Sequence, residues 1–194
     1  MRLKEGNKES DILEAAIRVF ARYGFHEAKI SMIATEAGVS AGSVYVYYEN
    51  KEDQLLEIFR QIWDKLYKDL NLIAERRDLN PVEKFDSLID LLFDFFIENP
   101  SLALVFVNEQ PQVQRLNKKY SQYSDKFLAL GEDIVREGLT SSHFKQDIDI
   151  KILRSYIFGA LRHLLQQWAQ HPKEYPLNTL RNNVKFLSKH GIMK

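Results

Sequence analysis

The chain has 194 residues, with 27 Lys and Arg against 27 Asp and Glu, so its formal net charge is zero. A hydrophobic fraction of 45% beside 28% charged residues describes a globular chain able to bury a core and excludes disorder. The absence of cysteine excludes disulfides and thiolate metal sites, and no apolar run approaches the roughly 18 residues of a membrane span.

The first ten residues, Met1 to Ser10, are polar and lack the apolar stretch of a signal peptide, so a cytoplasmic protein is expected. From about residue 9 to 23, Ile12, Leu13, Ala16, Ile17 and Phe20 recur at helical spacing. Gly24 then supplies the flexible residue that a helix C-terminus needs. A short helix over 30–37 follows and ends at Gly38, and another over 41–47 is capped by Ser40. Lys51-Glu52-Asp53 opens a long helix whose apolar positions run from Leu55 through Phe59, Trp63 and Leu66 to Ile73. Asn80-Pro81 restarts the chain in a helix over 81–98 that is apolar on most faces and so belongs inside a bundle. Asn99-Pro100 and Gln110-Pro111 bracket a short helix carrying Leu102 to Val107. A long helix to about Glu137, a loop over 138–147, and helices over 148–170 and 177–190 complete nine helices and no strand. The expected class is all-α.

Residues 30–47 combine a helix, a Gly-containing turn and a second helix, with Ala34 where the two must approach. Val39 and Val44 supply core contacts. This is the construction of a helix-turn-helix, whose second helix enters the DNA major groove. Small Ala41, Gly42 and Ser43 let the chain come close to DNA, Tyr45 and Tyr47 offer hydroxyls, and Lys51 can neutralise a phosphate.

The run Ile12-Leu13-Glu14-Ala15-Ala16, then Phe20, Tyr23-Gly24-Phe25 and Ile33-Ala34-Thr35-Glu36-Ala37-Gly38-Val39-Ser40, resembles the TetR family of transcriptional repressors. The likeness continues through Gly42-Ser43-Val44-Tyr45 and Tyr47-Tyr48-Glu49-Asn50-Lys51-Glu52-Asp53-Gln54-Leu55 and covers about residues 9–57. It implies an N-terminal three-helix DNA-binding domain over 1–50 and a C-terminal helical bundle over 51–194 for ligand binding and dimerisation. It also implies that Ser31, Ser40, Ala41, Gly42, Ser43, Tyr45, Tyr47 and Lys51 face double-stranded DNA at a pseudo-palindromic operator. Lys29 stands where the family often has Thr, losing a capping hydroxyl and gaining a phosphate-seeking charge. Val46 and Tyr47 stand where many members have Tyr and His. Tyr48 takes the family's aromatic anchor position and is expected in the core.

Phe93, Phe96 and Phe106, with Tyr120, Tyr123 and Phe127 on the seventh helix, are the candidate lining of an apolar cavity where the resemblance places a small-molecule effector. Plain core packing is the other reading of each ring. Asn108, Gln110 and Arg115 could anchor a ligand head group or simply be solvated. Tyr156, Gly159, Ala160, His163 and Gln167 form one stripe, and with the apolar series Ile152, Leu153, Ile157, Leu161, Leu164, Leu165 and Trp168 they are the expected homodimer interface. The histidines are scattered and no phosphate loop or nucleophile is evident, so neither an enzyme nor a cofactor is expected.

The apolar fifth helix and the pattern from Gly159 to Trp168, closed by a helix ending in Gly191-Ile192, resemble acyl-CoA-responsive regulators of fatty-acid metabolism. A repressor released by a long-chain acyl-CoA or another apolar small molecule is therefore expected. Asp90, Asp94 and Glu98 at four-residue spacing support an alternative, a multidrug-responsive repressor of an efflux gene. A helical binding module without DNA affinity is the remaining alternative. Through residue 55 there are seven Lys and Arg against nine Asp and Glu, so DNA attraction must come from placement of Lys29, Lys51 and the N-terminal Arg2, Lys4 and Lys8.

Overall fold

The computed structural model describes residues 8–116 and 121–193, so Arg2, Lys4 and Tyr120 lie outside the described residues. Helix α1 (Lys8–Glu27) buries Ile12, Leu13, Ala16, Ile17 and Phe20 and is interrupted at Gly24, whose φ of 72° and ψ of 161° are not helical. Helix α2 (Ile30–Ala37) ends on Gly38 in the left-handed region, and α3 (Ala41–Tyr45) begins from Ser40, whose hydroxyl accepts the Ser43 N–H. The expected helix to residue 47 is thus shorter, because Val46 and Tyr47 turn the chain so that Tyr48 enters the core.

Helix α4 (Lys51–Ala74) is capped by the Asn50 side chain and leads away from this three-helix unit, carrying Leu55, Phe59, Trp63, Leu66 and Leu70 into the interior. Helix α5 (Pro81–Ile97) starts from a capping box made by Asn80 and Glu83. It lies among α4, α6, α7 and α9, the position its apolar circumference requires. Around it stand α6 (Pro100–Leu116), α7 (Ser121–Thr140), α8 (Ile150–Gln170) and α9 (Leu177–Ile192). Among the described residues the nine helices leave no strand beyond an isolated bridge between Phe144 and Met193.

The largest departure from the expected elements is α6. It does not stop before Pro111 but runs through it to Leu116. Proline has no N–H and cannot serve the carbonyl four residues earlier, which is that of Val107. Arg162 of α8 donates Nη2 to that oxygen at 2.5 Å, so the missing bond is replaced from a neighbouring helix.

On the far side of α5, Arg181, Lys185 and Lys189 of α9 pair with Asp94, Asp90 and Asp86. The carboxylates expected to attract cationic drugs are therefore tied into the α5–α9 seam, and Glu98 is exposed at the end of α5. Gly138 lies flat against the Phe144 ring, so an added Cβ would overlap it. Gly138→Ala is expected to lower stability by about 1–3 kcal/mol, seen as a lower urea midpoint with an unchanged slope.

Candidate functional site

The helix-turn-helix presents an uncharged tip. Val46, Tyr45 and Tyr47 are 76%, 56% and 40% exposed, while Val44 and Tyr48 on the opposite side are buried. Lys29, Ser31, Ser40, Ala41 and Gly42 are also exposed, and Ser43 is half-buried. The structure therefore leaves these expected DNA-facing residues accessible in and around the helix-turn-helix. Ser40 and Ser43 are joined by a 2.9 Å bond between their hydroxyls. Lys29 precedes α2 in extended backbone and makes no side-chain cap, in line with the loss of a hydroxyl there.

Lys51 is placed differently from the expectation of a phosphate contact. Its Nζ donates to the carbonyls of Phe25, His26 and Ala28 at 2.7, 3.0 and 3.0 Å and sits 4.6 Å from the centre of the Phe25 ring. All three ammonium protons are used to close the end of α1. The lysine fastens α4 to the DNA-facing unit. Spacing alone could not reveal this, because the carbonyls come from a turn some 25 residues upstream.

The same corner is held from a third side. Non-helical Gly24 breaks the α1 ladder, and the Phe25 N–H donates instead to Glu109 Oε1 of α6 at 3.0 Å. Burial pushes the Tyr48 phenol up to about 12, with Glu9 and Glu57 acting in the same direction, so it stays neutral beside α4. Burial alone would raise the Glu57 carboxyl, but bonds from Arg60 and Gln61 hold it below its ordinary value. Glu36 engages Arg18 at 2.7 Å and approaches the exposed Arg22 at 3.9 Å, offsetting part of their positive charge.

A cavity of about 420 Å³ opens among α4 to α8. Trp63, Leu92, Phe96, Phe106, Leu128, Phe158, Leu161 and Leu165 give it apolar walls, and Gln110, Gln114, Ser124, Asp125, Arg154, Ser155 and Arg162 supply polar groups. A narrower apolar slot, lined by Phe85, Leu88, Phe127, Val135, Leu153 and Ile157, adjoins it. Leu128, Arg154 and Phe158 line both. Of the candidate pocket residues, Phe96 and Phe106 line the cavity and Phe127 the slot. Phe93 lines neither; it is packed in the core with the Arg181 guanidinium 5.9 Å from its ring. Tyr123 lies exposed on α7 and lines neither space.

Sequence reasoning missed Arg154 and Arg162 and read Leu161 and Leu165 as surface. Leu153, Ile157, Leu161, Leu165 and Trp168 are in fact buried, because that stripe of α8 faces inward. The outward stripe retains exposed Tyr156, Gly159 and His163, with Ala160 and Gln167 half-buried. Exposed Ile152 adjoins Tyr156 on α8, and α9 exposes Phe186 and Leu187 at 58% and 61%. Two helices thus present large apolar side chains to the outside.

Comparison with known proteins agrees with this geometry. The model described as bacterial regulatory proteins, tetR family, matches residues 12–58. The model of the YsiA-like protein C-terminal region matches residues 59–191. The fatty acid metabolism regulator protein of Bacillus subtilis is 30% identical over 190 residues, covering 95% of each chain. The structure of the fatty acid degradation regulator FadR from Bacillus halodurans superposes with a TM-score of 0.84 at 29% identity, covering 97% of each chain. FadR from Bacillus subtilis in complex with stearoyl-CoA gives 0.80 at 29% identity, covering 92% of this chain and 96% of that one.

Replacing Lys51 by Ala strands three carbonyls at the corner of α1. Lys51→Ala is expected to cost about 1.5–3 kcal/mol of stability, measured by chemical denaturation. Tyr47→Ala should leave that stability within about 0.5 kcal/mol of the parent.

Proposed function

The chain belongs to the TetR family of bacterial transcriptional regulators, and from that premise we propose that it is a homodimeric repressor released from its operator by a long-chain acyl-CoA. The observation that carries this reading is the double role of α6. Its Phe106 and Gln110 line the cavity, while Glu109, on the same turn, is bonded to the backbone at the corner of α1. An occupant that prefers a shifted α6 thereby also prefers a different setting of the helix-turn-helix.

The acyl-CoA identity is supported by a large, mostly apolar cavity that continues into an apolar slot, with Arg154 and Arg162 among its polar groups. The related Bacillus subtilis regulator, crystallised with stearoyl-CoA, supports the same class. Asp90 and Asp94, the carboxylates that suggested cationic drugs, are neutralised by α9 away from the cavity, leaving Asp125 as the acidic group in its lining. Functionally, residues up to 50 read DNA through Lys29, Ser31, Ser40 to Ser43, Tyr45 and Tyr47, and residues from 51 sense ligand and pair the protomers. Among the described residues, no helix is long and apolar enough to cross a membrane.

Pairing through the outward faces of α8 and α9 would bury Ile152, Tyr156, Phe186 and Leu187 and place two helix-turn-helix units about a twofold axis. The double variant Tyr156→Glu, Phe186→Glu is expected to be monomeric by light scattering and to lose specific DNA binding. A monomeric wild-type protein at micromolar concentration would refute the dimer.

For the ligand, Leu128→Trp fills the junction between cavity and slot. Palmitoyl-CoA should release that variant from DNA at least about tenfold less effectively, with DNA affinity itself unchanged. Steep salt dependence of duplex binding is expected of a repressor, since phosphate contacts release counterions. A helical module without DNA affinity would show almost none.

A further inference from the structure

We propose that Arg162 is a latch worked by the effector: it recognises an acidic or phosphorylated group on the ligand and in doing so gives up the Val107 carbonyl. The proposal rests on the effector reading above and names the residue through which the cavity would act.

The chemistry begins with Pro111. Within α6 it removes the N–H that would serve Val107, leaving a strong acceptor unpaired inside a helix. Arg162 Nη2 supplies the replacement at 2.5 Å. A guanidinium can serve a neutral carbonyl, but its planar fork matches carboxylate and phosphate better and bonds them more strongly. Among the described residues Arg162 has no recorded ion pair, whereas Arg154 beside it is paired with Glu132 at 2.7 Å. Arg162 also lines the main cavity, and on its other side it borders a hollow formed with Asn108, His163 and Gln166. An anionic group entering the cavity therefore meets a cation whose present partner is the weaker one.

What Arg162 releases is mechanically placed. Val107 lies two residues before Glu109, which accepts the Phe25 N–H at the corner of α1. The second tie in this stretch is weak, a 3.3 Å bond from Gln166 to the exposed Asn108 side chain. Once Arg162 turns to a ligand, α6 loses its outside support at the Pro111 fault, and a shift there carries Glu109 with it. The proline creates the carbonyl that makes the arginine a switch.

Pro111→Ala restores the missing N–H, and this gives a test that a merely structural arginine would fail. Wild type, Arg162→Gln, Pro111→Ala and the double variant are compared by hydrogen exchange across α6 and by affinity for a duplex selected from a random pool with wild-type protein. Arg162→Gln is expected to speed exchange in α6 and weaken DNA binding about fivefold or more, within the usual range of allosteric coupling. The double variant should return both to wild-type values. Palmitoyl-CoA should release wild type but not the double variant. Failure of Pro111→Ala to rescue exchange overturns the latch, as does equal release of wild type and double variant. If the rescue holds but palmitoyl-CoA does not release wild type, the acyl-CoA identity falls and the latch stands.

Discussion

The break in α1 at Gly24 is the constraint on which the rest depends. A residue at φ 72° and ψ 161° cannot continue a helix, so the Phe25 N–H loses its place in the ladder. Two other helices then converge on the freed backbone. Glu109 of α6 takes the N–H, Lys51 of α4 takes the carbonyls of Phe25, His26 and Ala28, and the Phe25 side chain is buried beneath the ammonium. The DNA-facing unit is thus fixed to its support by polar groups of complementary charge on two separate helices. Movement of either helix is felt at the same turn.

Helix α6 carries the second half of that logic. It is a cavity wall at Phe106 and Gln110, an anchor for α1 at Glu109, and a helix with an internal fault at Pro111. Placing these features within six residues makes the segment responsive rather than merely stable. A packed bundle resists gradual deformation, so signals pass through elements having two discrete arrangements. A helix whose carbonyl is held from outside is, in the latch we propose, such an element.

Electrostatics explains how a neutral chain meets a polyanion. Two of the acidic residues near the helix-turn-helix are spent internally, Glu36 on Arg18 and Arg22, and Glu57 on Arg60. The tip itself is aromatic and hydroxylic, with exposed Glu49 following it and exposed Lys29 in the turn before α2.

Much of this was legible in the sequence. Helical periodicity, the glycines after α1 and α2, and the Ser40 cap determined the helix-turn-helix, because those signals act between residues a few positions apart. The surrounding apolar runs likewise placed α5 at the centre of a bundle. Contacts between distant segments were decided only by the tertiary structure. Lys51 looked like a phosphate ligand until the turn at residues 25–28 was folded over it. Phe93 looked like pocket lining but packs in the core, and Leu161 and Leu165 looked like surface but line the cavity. Pro111 looked like a helix boundary because sequence shows the hydrogen bond it removes. Only the fold shows Arg162, 55 positions from Val107, replacing it.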